Sequence, residues 1–71
     1  MSLADALEGK DYIIKEILTD DEELNAFLFS LGCYSGESIT IVTKRKKNLT
    51  ISIKDARYNI DIQLASAIIV Q

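Results

Sequence analysis

Four consecutive carboxylates, Asp20, Asp21, Glu22 and Glu23, are the densest set of hard-cation ligands in the chain. Carboxylate oxygens hold hard divalent cations, so the run is a candidate cation site. Consecutive side chains at a helix start point in different directions, however, and rarely converge on one ion. Capping and compensation of the helix dipole account for the run without any ligand. The remaining chemistry is sparse. The chain has no histidine and a single cysteine, Cys33. Cys33 has no imidazole to activate it as a nucleophile. It also falls near a helix end, not at the helix N-terminus that would lower its pKa. These two absences exclude a zinc finger or any other soft multi-ligand site within one chain. No catalytic group, metal or cofactor is expected.

Two surface features are candidates for binding. Lys44-Arg45-Lys46-Lys47 is a run of four cations. It could meet an acidic protein face, anionic lipid or RNA. It also suits a solvated hairpin tip whose charge deters edge pairing. No aromatic is interleaved to stack bases, which counts against nucleic acid. The second feature is Phe29, with Cys33 and Tyr34 close behind it. Phe29 sits roughly 140–150° around a helix from the centre of the apolar stripe formed by its neighbours. An exposed Phe29-Cys33-Tyr34 patch beside a tight loop is a candidate docking surface.

The elements that position these residues follow from periodicity. Leu24, Phe27, Leu28 and Leu31 recur at helical spacing, so Thr19 to Leu31 reads as an amphipathic helix with one buried face. Asp20 with Glu23, or Thr19 with Glu22, fits a capping box. Gly32 stands where the chain must turn left-handed to end the helix. Before it, Tyr12 to Leu18 reads as a strand. Adjacent Ile13 and Ile14, and the three-residue step from Ile14 to Ile17, break the alternation; a β-bulge or a buried edge would explain that, and a helix is the competing reading of this window. Leu3 and Leu7 are placed over one end of the core, and Gly9 closes the lead-in. After the helix, Glu37 to Thr43, Leu49 to Lys54 and Tyr58 to Ile62 alternate as strands of a meander. The hairpin tip Lys44 to Asn48 and a turn at Asp55 to Arg57 join them. Gln63 to Ala67 reads as a helical turn, and Ile68 to Val70 as a final short strand.

Seventy-one residues form one domain, 1–71, mainly β with one short α-helix. A chain this small buries only roughly 60% of its unfolded surface, so its core must be dense. At 48% hydrophobic, it can be. Single-sided strands suit an antiparallel sheet curled around one core, and five short ones make a small, partly open barrel. The N-terminus lacks a basic region followed by an apolar run, so no secretory leader is expected. No stretch approaches the ~20 apolar residues of a membrane span. With one cysteine, a reducing cytoplasmic setting is the expectation. The net charge of -3 divides unevenly, with -6 on residues 1–36 and +3 on residues 37–71.

The order and spacing of Leu28-Phe29-Ser30-Leu31-Gly32-Cys33-Tyr34-Ser35-Gly36, then Ser38-Ile39-Thr40-Ile41, and of Ala65, Ile68 and Val70, resemble the FeoA family. That likeness runs from Leu3 to Val70. It implies an SH3-like barrel without enzymatic activity. It also implies an accessory role in bacterial ferrous iron uptake, through contact with the cytosolic part of the transporter. Other readings are a generic SH3-like adaptor and an RNA- or ribosome-associated barrel. Homo-oligomerisation and the direction of any regulation are left open. The sequence departs from the family pattern at three places. Phe27 and Asp61 stand where many members carry arginine, and Asp55-Ala56 replaces a common turn glycine.

Overall fold

Alternating side chains give every strand of this chain one wet and one dry face, so the sheet can close only by wrapping its dry face inward. A computed structural model describes residues 1–71. Five antiparallel strands are present: β1 (Asp11–Ile17), β2 (Ser38–Lys44), β3 (Asn48–Ile53), β4 (Ala56–Asp61) and β5 (Ile68–Val70). They form one sheet in the order β4-β3-β2-β1-β5. The two edge strands do not pair with each other, so the barrel is partly open. Helix α1 (Glu22–Leu31) links β1 to β2, and the short helix α2 (Ile62–Ala67) links β4 to β5.

The curl comes from β1. Its first half pairs with β2, Tyr12 opposite Ile39, and its second half with β5, Ile17 opposite Ile68. A register shift between Ile14 and Glu16 separates the halves. The extra residue lets both Ile14 and Ile17 point inward despite their three-residue spacing. A second shift, between Ile41 and Thr43, bends β2 against β3. Inside lie Ile39 and Ile41 of β2, Leu49, Ile51 and Ile53 of β3, Ile60 of β4, and Ile68 and Val70 of β5. Leu3 and Ala6 seal one end. Leu7, expected to help Leu3, is 62% exposed, because the chain has left its 3-10 turn at Asp5 and is heading for Gly9.

The helix differs from expectation in two respects. It begins at Glu22, and its cap is Asp21, not Thr19 or Asp20. Asp21 Oδ1 accepts from the N–H groups of Glu23 and Leu24, at 3.0 and 3.1 Å. Thr19 Oγ1 acts one step earlier and fixes the approach by accepting from the Asp21 N–H. The third helical residue after this cap is Leu24, so no capping box forms. The buried face is also narrower than four residues. Leu28 is fully buried and Leu24 and Leu31 are half-buried, but Phe27 is 49% exposed. A ten-residue helix lying on a small barrel rests on a thin seam, and Phe27 overhangs it.

Two turns depend on left-handed backbone. Gly32 ends α1 with φ 99°, and its N–H and that of Cys33 close the last turn on Leu28 and Phe29 carbonyls. A Cβ there would also lie 2.9 Å from Lys54 Cδ. The β3–β4 loop is Lys54-Asp55, between the paired residues Ile53 and Ala56. Both loop residues have positive φ, 49° and 65°, although neither is glycine. Two-residue hairpins favour this twist, and side chains raise its cost.

Two stability changes follow. Gly32→Ala should lower unfolding free energy by about 1–2 kcal/mol, the ordinary cost of a left-handed alanine, in a denaturant titration. Asp55→Gly should act in the opposite sense, raising it by roughly 0.5–1 kcal/mol through relief of the turn.

Candidate protein-docking site

The outer side of α1 and the loop after it build an aromatic shelf. Phe29 leaves the helix away from the buried seam and is 63% exposed. Tyr34 returns beside it after the Gly32 turn, with ring centroids 5.0 Å apart and planes tilted by 37°. Lys54 reaches across from the β3–β4 loop. Its Nζ lies 5.1 Å from the Tyr34 centroid and 3.2 Å from Glu37 Oε1. Tyr34 first, and then the Glu37 carboxylate, raise the Lys54 pKa above its ordinary value, so its cation is secure at neutral pH. A shallow groove of about 460 Å³ runs between Phe29, Leu31, Tyr34 and Tyr58, with Lys54 on its border. It offers apolar and aromatic area next to one fixed positive charge, which suits a protein segment more than a reaction.

Sequence reasoning placed Phe29 and Tyr34 together, and the structure does the same. It separates Cys33 from them. Cys33 is 1% exposed and belongs to the core, because the left-handed turn at Gly32 rotates the next side chain inward. Burial pushes its thiol from 9.0 up to about 11. Lys54 and Tyr58 were not foreseen as site residues. Strand alternation assigned one outward and the other inward, and nothing local connects either to a helix more than twenty positions away.

The basic run is also divided. Lys44 is an anchor: its Nζ donates to the Ala6 carbonyl at 2.9 Å, and its N–H to Glu8 Oε2 at 2.7 Å. It ties down the lead-in segment. Arg45, Lys46 and Lys47 form the exposed tip between β2 and β3 and have no carboxylate partner, since Lys54–Glu37 is the fold's one ion pair. The tip and the aromatic shelf sit at opposite ends of β3. Six residues of strand, about 20 Å, keep them apart.

Asp20, Asp21, Glu22 and Glu23 do not converge with each other or with other acids or Cys33 into a set of three ligands. A second concavity, of about 370 Å³, lies on the opposite side of α1. Leu24, Phe27 and Leu64 line it, together with Asp21, Asp61 and Gln63. Asp61 caps α2 there, with Oδ1 accepting from the Leu64 N–H at 2.8 Å. The two departures from the expected arginines, Phe27 and Asp61, thus share one groove. No helix is long and apolar enough to cross a membrane.

Comparison with known proteins places this architecture. The FeoA domain model matches residues 1–71. A Helicobacter pylori (strain J99) protein, whose name proposes it as Fe(2+) transport protein A, is 33% identical over 63 residues. That match spans 89% of this chain and 81% of the relative. An iron uptake regulatory protein (FeoA) superposes with a TM-score of 0.92 at 24% identity, over 100% of this chain and 95% of that one. FeoA of Stenotrophomonas maltophilia, solved with zinc and described as a prokaryotic SH3 domain protein, gives 0.91 at 18% identity, over 100% and 89%. A manganese-dependent transcriptional repressor gives 0.90 at 18%, with this chain matching only 40% of its length. The SH3-like description therefore fits the barrel seen here.

The buried thiol yields a direct check. Cys33 should resist iodoacetamide in the folded chain at pH 8 and react once denaturant is added. Its raised pKa means that folding favours the protonated form. Stability is untouched by this group below pH 9.0 and falls as pH climbs from there to about 11. Over that window the parent chain should lose more stability than Cys33→Ala in the same denaturant titration.

Proposed function

The chain belongs to the FeoA domain family, and from that membership we propose that it is a non-enzymatic accessory protein of bacterial ferrous iron uptake. It acts in the cytoplasm by contact with the cytosolic part of the membrane transporter. The name carried by the Helicobacter pylori relative supports the transport assignment. The observation that carries the mechanism is the shelf of Phe29 and Tyr34, held open to solvent beside a fixed lysine. A phenylalanine exposed by more than half, locked against a tyrosine, costs little conformational entropy when a partner covers it. Aromatic anchors of this kind dominate binding energy at protein interfaces.

The basic tip plays a second part. Arg45, Lys46 and Lys47 are unpaired cations at the far end of β3, where they can steer an acidic face toward the shelf. Their effect belongs to the association rate and weakens with salt, whereas the shelf governs dissociation.

Co-purification with the tagged transporter tests this. Phe29→Asp should abolish recovery of the transporter while leaving the circular dichroism spectrum and thermal midpoint unchanged, since the side chain is outside the core. Replacing Arg45, Lys46 and Lys47 by glutamine should slow association and reduce its salt dependence. Full recovery of the transporter with Phe29→Asp would sink the shelf as the contact.

A further inference from the structure

The groove between α1 and α2 is apolar at its base and acidic at its rim. Leu24 and Leu64 are half-buried, and Phe27 lies open over them. Asp21 and Asp61 face the same space, each at the start of a helix. Each carboxylate uses only Oδ1 to cap its helix, and Oδ2 has no hydrogen-bond partner. Neither acid has a lysine or arginine within ion-pair distance. Asp20, Glu22 and Glu23 add to the negative charge at this end of α1.

We propose that this groove receives a partner peptide in which a large apolar residue is followed directly by an arginine or lysine. The apolar side chain covers Phe27 between Leu24 and Leu64. The cation meets the free oxygens of Asp21 and Asp61, and arginine serves best because its guanidinium carries five donors and stays charged at every working pH. Charge complementarity selects this occupant. Phosphate-bearing partners, nucleic acid and anionic lipid, are repelled by the same rim. A second copy does not supply the segment either. Its two dipeptides of that kind, Ile14-Lys15 and Ile53-Lys54, have the isoleucine buried in the core, and Arg45, Lys46 and Lys47 lie between Lys44 and Asn48 with no exposed apolar residue beside them. This site is separate from the aromatic shelf and does not depend on the transporter reading.

The capping geometry provides a clean test. Asparagine offers a side-chain oxygen to the same N–H groups, so Asp21→Asn and Asp61→Asn remove charge and keep both caps. The probe is the synthetic peptide acetyl-Gly-Leu-Arg-Gly-amide, titrated into the full 15N-labelled chain at low salt, with amide shifts as the readout. Saturable shifts should appear at Leu24, Phe27, Gln63 and Leu64, with a dissociation constant in the millimolar range. Each asparagine variant should weaken binding by about two- to five-fold, the scale of an exposed ion pair. Citrulline in place of arginine should weaken it as much as both variants together, and Phe29→Asp should leave it unchanged. Equal binding of the citrulline peptide overturns the proposal, as does the absence of saturable shifts. Shifts centred on Phe29 and Tyr34 place the peptide elsewhere and also overturn it. Groove shifts that change on dilution without peptide show that a second copy fills the site, and they overturn it too.

Discussion

The missing side chain of Gly32 is the constraint on which the outer surface depends. Its left-handed backbone ends α1 and sends the chain back over the helix end. The space where a Cβ would stand is occupied by the Lys54 side chain. Lys54 can therefore lie against Tyr34 and bridge to Glu37. Tyr34 in turn supports Phe29. A residue with a side chain at position 32 would push Lys54 away and loosen the β3–β4 loop from the helix. The shelf is thus a tertiary object, made from a helix, a loop and a hairpin turn that meet at one atom-sized gap.

The hairpin turn shows the same dependence from the other side. Lys54 and Asp55 hold positive φ without being glycine, at a cost of order 1 kcal/mol each. Such backbone persists only where surrounding contacts over-determine it. The ion pair to Glu37 and the cation over Tyr34 are contacts of that kind. Both are exposed, so each contributes little by itself. A glycine at position 55 would remove that residue's share of the strain and leave the contacts of Lys54 in place. Lysine at 54 gives the groove its charge, and the left-handed turn aims that charge at the helix end.

The strand faces were readable because a two-residue period depends on nothing but the sequence. Ile39, Ile41, Leu49, Ile51, Ile53 and Ile60 are all buried as alternation requires. The broken alternation of β1 was readable but not its cause: a bulge, a buried edge and a helix all fitted Ile13, Ile14 and Ile17, and the pairing of β1 with both β2 and β5 decides for the bulge. The failures have physical reasons. Cys33 read as exposed because it lies four residues after Phe29, near the helix end, but one left-handed residue turned it inward. Phe27 read as core because a four-residue stripe presumes a broad floor, and a small barrel offers a narrow one. Lys44 read as part of a free basic tip because its carbonyl partner at Ala6 lies 38 positions away. Each miss is a contact or rotation with no local signature.

The tripeptide Phe27-Leu28-Phe29 brings these effects together in one helix turn. Successive helical residues are about 100° apart, so the two rings lie roughly 100° to either side of Leu28. With Leu28 fully buried, neither phenylalanine can join it, and each spills over one flank of the seam. One flank holds Lys54, and the other holds Asp21 and Asp61. The helix therefore presents the same apolar ring to two different surroundings, one beside the Lys54–Glu37 ion pair and one beside two unpaired carboxylates. In the docking roles proposed above, charge and not ring chemistry distinguishes the two sides. A single helix turn, wedged into the barrel by one leucine, is enough to make the two grooves distinct.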